Sequence, residues 1–243
     1  MKIELTKKQY KELLVLVSLG SYIRGAYADK HDEKYDDSEM SAYLLKYAKS
    51  EEEKEEHKLK TALSPLTGKV VSIGYLTLKE NKGLVQTVSD KIQSYENENT
   101  KFEFVKTEQE LLNKFWEVVS KTSQVITFNG RGFDIPFILL RSAINKIKPS
   151  KNLMGNRYKN FPHCDLLDQM SLYGALFYPK TLHFYTRAFG IKSPKDGMKG
   201  VQVTEYYNAG KHQEIAEYCM KDVVATGELY SYFEKYLKFD YDY

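Results

Sequence analysis

The chain has 243 residues, 42% hydrophobic and 28% charged, which is typical of a globular protein with one large domain or one domain and an extension. Its net charge of +3, from 36 basic and 33 acidic residues, is too small to argue for nucleic-acid binding by itself. No run approaches the roughly 20 apolar residues that cross a bilayer, and no secretory leader is visible. Cys164 and Cys219 lack the spacing of a metal site or a disulfide framework. We therefore expect a reduced, cytoplasmic protein with no membrane partner.

The first 60 residues are predicted to form a charged, helical N-terminal extension. Thr6 and Gln9 have the spacing of a capping box, and the apolar residues that follow recur at helical spacing. Residues 28–60 are rich in charge and favour a solvated helix or helix pair that joins two parts of the chain. The composition then changes, so we expect two units, residues 1–60 and residues 61–243.

From residue 61 onward, predicted strands alternate with predicted helices. Runs rich in β-branched and aromatic residues, bounded by turn residues, predict strands at 70–76, 84–88, 102–105 and 125–128. Capping residues and helical spacing predict helices that begin after Thr107, near Asp134, near Thr181 and at His212. This alternation is typical of an α/β domain.

Asp134 stands where a predicted strand is followed by a helix. Asn129, Gly130 and Gly132 supply a tight turn, and Pro136 is acceptable in the first turn of the helix. In open α/β sheets, crevices at such strand ends hold ligands. The structural alternative is that Asp134 simply interacts with the dipole at the start of the helix.

Asp222 interrupts an apolar stripe on the helix predicted over residues 212–233. The positions that share this face are Ile215, Cys219, Asp222, Thr226, Leu229 and Phe233. A buried carboxylate is costly unless a cation, a metal or several hydrogen bonds satisfy it. Tyr218 lies one turn earlier on nearly the same face, so an acid and a phenol are predicted to point together into the interior or into a cleft. The structural alternatives are an arginine partner for Asp222 and a core position for Tyr218.

Three pieces of the sequence, in this order, are similar to the later motifs of DEDD-type 3′–5′ exonucleases. They are NGRGFDIP (129–136), HCDLLD (163–168) and YCMKDVVAT (218–226). The chain resembles in particular the predicted exonucleases related to the proofreading domain of family-B DNA polymerases, and LSPLTGKVVSIGYL (63–76) resembles the segment after their first motif. The resemblance covers roughly residues 60–236. It implies a ribonuclease H-like fold, with a mixed central sheet flanked by helices.

The resemblance also implies a site that hydrolyses phosphodiesters with two Mg²⁺ or Mn²⁺ ions. Asp134 would be the second-motif aspartate and hold one ion, and Asp222 would be the third-motif aspartate and hold the other. Tyr218 occupies the position of the tyrosine that orients the attacking water. Asn129 and Phe133 would shape the nucleotide pocket. Carboxylates suit this chemistry because Mg²⁺ prefers their oxygens, and two hard cations together neutralise charge and activate water.

Three further residues near these motifs have two interpretations each. Asp165 is a candidate metal ligand in the His-x-Asp piece that the resemblance includes, and helix capping is the alternative. His163 in the same piece is more often a structural histidine than a ligand. Arg131 lies beside the proposed cleft and is a candidate phosphate contact, whereas an exposed turn residue is the alternative.

The first motif of the family, an Asp-x-Glu on the central strand, has no counterpart in an apolar strand before residue 63. The run LLVLVSLGS (13–21) would place Ser18 and Gly20 at the two acidic positions, but its helical interpretation is preferred. The acidic residues between positions 29 and 39 are candidates to replace the missing motif only because they lie near this run in the sequence. A solvated loop is the favoured interpretation for them.

The leading functional prediction is therefore metal-dependent 3′–5′ exonuclease activity on single-stranded 3′ ends of DNA or RNA, weakened by the missing motif. One alternative is a catalytically inactive relative that binds nucleic acid. The other is an interaction protein that binds a partner, or itself, through residues 1–60.

Overall fold

A computed structural model describes residues 14–18, 46, 50–53, 63–176, 180–193 and 202–238. The strands are β1 (Leu14–Ser18), β2 (Ser72–Thr77), β3 (Lys82–Val88), β4 (Tyr95–Asn97), β5 (Thr100–Val105), β6 (Gln124–Thr127) and β7 (His163–Asp165). The helices are α1 (Glu108–Lys121), α2 (Asp134–Ile144), α3 (Leu166–Met170), α4 (Leu182–Ala188), α5 (Val203–Asn208) and α6 (His212–Tyr236). Within these ranges, no helix is long and apolar enough to cross a membrane.

The strands form one mixed sheet in the order β4-β5-β3-β2-β1-β6-β7, so β1 is an interior strand between β2 and β6. β1 is antiparallel to β2 and parallel to β6, which is parallel to β7. On the other side, β2 is antiparallel to β3, and β5 pairs with β3 and with the short edge strand β4. A mixed sheet flanked by helices confirms the predicted ribonuclease H-like α/β fold.

The prediction of a helix over residues 1–30 is wrong at residues 14–18, which form β1. Short apolar runs are compatible with both the helical and the strand period. Here β2 and β6 provide hydrogen-bond partners on the two sides, which favours a strand. β1 therefore belongs to the same sheet as the strands after residue 61. The other features predicted within residues 1–60 lie outside the described residues, except for an exposed helical turn at 51–53.

Side chains alternate along the strands between two hydrophobic cores, one on each face of the sheet. Ile73 and Tyr75 pack in a core that includes Phe115 of α1 and residues of α2. Leu76 points to the opposite core, which includes Val223 of α6 and residues of α3 and α4. Each face of the sheet is thus covered by helices, and the ends of the strands are left to form a site.

Two helices begin at threonine side-chain caps, of which the one at Thr107 was predicted. The hydroxyl of Thr107 accepts from the backbone N–H of Glu110 at 3.1 Å, and that of Thr181 accepts from Phe184 at 3.3 Å. Four short elements were not predicted. They are β4, which falls in the predicted loop 89–100, and β7, α3 and α5, which have three, five and six residues. None of them is long enough to show a hydrophobic period.

A buried ion pair joins α1 and α2 to the segment before β2. The guanidinium of Arg141 donates to both carboxylate oxygens of Glu108, at 2.9 and 2.7 Å. Glu108 also accepts from the backbone N–H of Val70 at 2.7 Å and from the side-chain amide of Asn145 at 3.2 Å. Arg141 donates in addition to the carbonyl of Pro65 at 3.2 Å. Both charges are therefore satisfied by several partners although each side chain is only 9% exposed.

Candidate functional site at the ends of the parallel strands

The carboxyl ends of the three parallel strands β1, β6 and β7 lie side by side. Leu16 of β1 pairs with Ile126 of β6, and Thr127 of β6 pairs with Asp165 of β7. Ser18 is therefore level with the first residue after β6. Ligands bind at such edges in α/β sheets because the loops that follow the strands converge there.

Asp165 braces the turn that follows β6. Its carboxylate accepts from the backbone N–H groups of Asn129 and Arg131, both at 2.8 Å, and from that of Leu167 at 3.0 Å. The side chain is 3% exposed, and this burial raises its pKa while the three N–H donors act in the opposite direction. Asp165 thus caps α3, as the structural alternative predicted, and also holds the turn.

His163 and Thr127 fix the base of the same turn. The Nδ1 atom of His163 lies 2.8 Å from the carbonyl oxygen of Leu153, and Nε2 lies 2.8 Å from the hydroxyl of Thr127. Because a carbonyl only accepts, Nδ1 carries the proton and Nε2 accepts from Thr127. Burial lowers the pKa of His163 to about 4, so the ring is neutral at physiological pH. His163 is therefore a structural residue.

Asp134 begins α2 directly after the turn and is 8% exposed. The turn needs small residues, since a Cβ on Gly130 would lie 2.1 Å from the hydroxyl oxygen of Thr127. Asn129 has a φ of +60°, a left-handed conformation that asparagine tolerates. The half-buried ring of Phe133 lies 5.8 Å from that of Phe137, so it packs against the core under α2.

Asp222 lies at the edge of the buried stripe on α6. Its neighbours Cys219 and Thr226 are completely buried, whereas Asp222 is partly exposed. Tyr218 is 7% exposed and packs with Val71 and Val203 in a small core. That packing supports the core interpretation of Tyr218, and its catalytic role stays a prediction.

The turn of α6 that carries Asp222 lies over the centre of the sheet. Gly74 of β2 pairs with Ser18 of β1, and a Cβ on Gly74 would lie 2.7 Å from Val223 and 3.0 Å from the sulfur of Cys219. Because glycine permits this close approach, the backbone around Asp222 comes near the carboxyl end of β1.

An open cleft of about 440 Å³ lies beside the turn after β6 and the start of α3. Its lining includes the cations Arg131, Arg157 and Lys180 and the acids Asp165 and Asp168. Arg131 donates to the carbonyl oxygens of the loop on the far wall, at 2.9 Å to residue 155 and 3.3 Å to residue 156. Asp168 accepts two hydrogen bonds from the guanidinium of Arg157. The cleft is therefore polar, and hydrogen bonds fix the orientation of the guanidinium groups of Arg131 and Arg157.

The cleft contains three of the predicted site residues, namely Asn129, Arg131 and Asp165. Phe133, Asp134, Tyr218 and Asp222 are not part of its lining. Sequence reasoning did not select Arg157 or Lys180, although for Arg157 a signal was present. Residues 135–164 contain six lysines and arginines and no acid.

The residues do not fit a paired-ion site of the kind that the resemblance implied. In the part of the chain that the structure describes, no group of three or more His, Cys, Asp or Glu side chains is placed to hold a metal. β1 has the sequence LVLVS and ends at Ser18, so this strand carries no carboxylate where the resemblance implied one. Asp165, the third predicted ligand, accepts three backbone hydrogen bonds instead.

Residues 63–239 match the model of a family described as predicted 3′–5′ exonucleases related to the exonuclease domain of PolB. This chain belongs to that family. The match includes all the motifs that carried the resemblance and confirms it, while β1 lies before the matched residues. No curated protein matches the chain. Membership in this exonuclease-related family supports a nuclease-like domain with nucleic acid as its class of ligand.

Proposed function

We propose that this protein is a cytoplasmic nucleic-acid-binding member of the exonuclease-related family that has lost phosphodiester hydrolysis. The observation that carries the proposal is that β1, with the sequence LVLVS, contains no acid and ends at Ser18. By resemblance, this strand would bear the aspartate that bridges both ions. A neutral hydroxyl in that place leaves Asp134 and Asp222 as the retained pair, too little negative charge to hold two divalent cations together.

Binding without hydrolysis is supported by what the turn after β6 retains. Asn129 and Phe133 occupy the positions that shape a nucleotide pocket in the family. Arg131 is held beside them by two backbone carbonyls, and its charge faces the cleft that it lines. A positively charged wall attracts phosphates whether or not metal ions are bound.

A nuclease assay tests the loss of hydrolysis. Single-stranded DNA and RNA carrying a 5′ fluorophore are incubated with the full chain and with Mg²⁺ or Mn²⁺, and the products are resolved by length. We expect the oligonucleotides to remain full length, as they do with the matched variant Asp222→Ala. Metal-dependent shortening from the 3′ end that Asp222→Ala abolishes would overturn the proposal and restore the exonuclease, with its missing acids supplied from elsewhere, such as residues 29–39.

Binding of the same oligonucleotides is measured by fluorescence anisotropy. We expect saturable binding that weakens as salt is raised, because phosphate contacts release counterions. If the protein binds neither DNA nor RNA at low salt, nucleic acid is not its ligand. Deletion of residues 1–13 and 22–55, which keeps β1, would then be the next comparison, since partner binding or self-association through residues 1–60 is the alternative predicted from the sequence.

A further inference from the structure

The surface between α2 and β7 carries a local excess of positive charge. The chain as a whole has 36 basic and 33 acidic residues, yet residues 135–164 hold six basic residues and no acid. They are Arg141, Lys146, Lys148, Lys151, Arg157 and Lys159. Arg141 is buried against Glu108, and Lys151 donates to the carbonyl of Thr122, whereas the other four are exposed. Such a local excess of positive charge attracts a polyanion even when the net charge of the protein is small.

Exposed aromatic rings alternate with these cations in residues 157–161, RYKNF, which we name the basic-aromatic segment. Tyr158 is 71% exposed and Phe161 is 63% exposed. Isolated exposed aromatic rings are ordinary, but two of them in the same five residues as Arg157 and Lys159 have the composition of a surface for unpaired bases.

Contacts on both sides hold this segment in place. The ring of Tyr158 lies 4.9 Å from that of Tyr173, whose hydroxyl accepts from the amide of Gln169 at 2.9 Å. Arg157 is paired with Asp168 and remains 53% exposed, so the pair orients the guanidinium and leaves it accessible. An aromatic ring and a cation that are already ordered lose little conformational entropy when a ligand binds.

The basic-aromatic segment continues into the cleft. Arg157 lines the cleft together with Arg131 and Lys180, and the lining extends to Asn129 at the turn after β6. The acids there are compensated, because Asp168 is paired with Arg157 and Asp165 accepts three backbone hydrogen bonds. A polar, positively charged surface therefore connects Asn129 to the exposed rings, along which a single nucleic-acid strand with its end at Asn129 would lie.

We propose that the basic-aromatic segment and the adjoining cleft bind single-stranded nucleic acid. Bases stack on Tyr158 and Phe161, and phosphates contact Arg157, Lys159 and Lys180. Single strands are favoured over duplex because the faces of paired bases are not available for stacking on protein side chains. This inference deepens the proposed function and rests on it.

The test is fluorescence anisotropy with a labelled oligo-dT, an oligo-U and a DNA duplex of the same length, using the full chain. We expect both single strands to bind more tightly than the duplex. Tyr158→Ala should weaken single-strand binding by about fivefold to a hundredfold, the range for loss of one stacked base. Lys159→Gln should weaken it less and should make the salt dependence of binding shallower, as expected for one lost phosphate contact.

Matched controls come from the end of α6, where the ammonium of Lys235 lies 5.0 Å from the ring centre of Tyr236 and Tyr236 is 65% exposed. Tyr236→Ala and Lys235→Gln should bind like the wild type. If the wild type binds but the segment variants and the control variants behave alike, the surface is wrong while the proposed function survives. If the wild type binds no oligonucleotide, the proposed function fails and this inference fails with it. Unchanged thermal unfolding of each variant excludes misfolding as the cause.

Discussion

At the scale of single residues, the proposed loss of hydrolysis rests on one position. Ser18 ends β1, where the resemblance would place an aspartate, while Asp134 begins α2 and Asp222 lies on α6, where it would place the other two. Asp165 and His163 are occupied by hydrogen bonds to the protein itself. The proposed loss of hydrolysis therefore depends on the end of one strand rather than on a general loss of the motifs.

Restoring acids at that strand end is expected to create metal affinity. In Ser18→Asp combined with Gly20→Glu, a carboxylate returns to the end of β1 near the turn of α6 that carries Asp222, so Mn²⁺ should bind more tightly than to the wild type. Isothermal titration calorimetry measures the change. Ser18→Asn is the matched control, since it has a similar shape without the charge, and it should bind Mn²⁺ no better than the wild type. Equal affinities for the double variant and the control would mean that β1 does not face the retained aspartates.

His163 is expected to make folding stability depend on pH. Its pKa is lowered from 6.5 to about 4 by burial, so the unfolded chain binds a proton at a pH where the folded chain does not. The free energy of unfolding is therefore highest above pH 6.5 and decreases as the pH falls toward 4, by on the order of 3 kcal/mol in total. Urea unfolding at pH 7 and pH 4.5 measures this decrease. His163→Gln should lose less stability between these two pH values than the wild type does, and an identical loss in both proteins would contradict the assignment.

At the scale of elements, one close contact between α6 and the sheet positions the third motif. Gly74 of β2 admits Cys219 and Val223, which places the turn of Asp222 over the strand pair β1–β2. Most boundaries of these elements were predictable, because strand and helix periods repeat over many residues in β3, α1 and α6. β1 was not, because a run of four apolar residues and a serine fits both the helical and the strand period, and its hydrogen-bond partners are distant in sequence.

Gly74→Ala should destabilise the protein by about 1–3 kcal/mol, because the added methyl group would overlap Val223 and press on Cys219. Urea unfolding at pH 7 gives the change in free energy. In Gly74→Ala combined with Val223→Ala, the overlap is removed, so the double variant should lose less than the sum of the two single variants. Gly155→Ala is the control, since a Cβ there meets nothing within 4 Å. Strict additivity of the two changes would argue against the close contact.

At the scale of the whole molecule, a buried charge network joins segments that are far apart in the chain. Glu108 of α1 and Arg141 of α2 bind each other, and they hold the segment before β2 through Val70 and Pro65. The network lies on the face of the sheet opposite α6. It therefore fixes the scaffold on which the strand ends meet without taking part in the site.

Breaking that network should cost far more than breaking an ion pair on the surface. Arg141→Met leaves the carboxylate of Glu108 buried without its cation, so we expect a loss of about 3–5 kcal/mol in the free energy of unfolding. Lys121→Met breaks the exposed pair with Glu117 and should leave the free energy of unfolding nearly unchanged, because water screens that pair. Chemical denaturation compares the two variants. A similar small cost for both would show that the buried pair contributes no more than a solvated one, and adding Glu108→Gln to Arg141→Met should recover part of the loss.

The sequence alone determined the local features: the tight turn at Asn129–Gly132, the cap of α1, the apolar stripe that Asp222 interrupts, and the family motifs between residues 129 and 226. These follow from neighbouring residues, whose spacing is visible without coordinates. Only the tertiary structure decided that residues 14–18 are an interior strand of the sheet, that Asp165 braces a turn, and that Arg157 and Lys180 share a cleft with Asn129. Each of these depends on hydrogen bonds or packing between segments tens of residues apart, which no local pattern specifies.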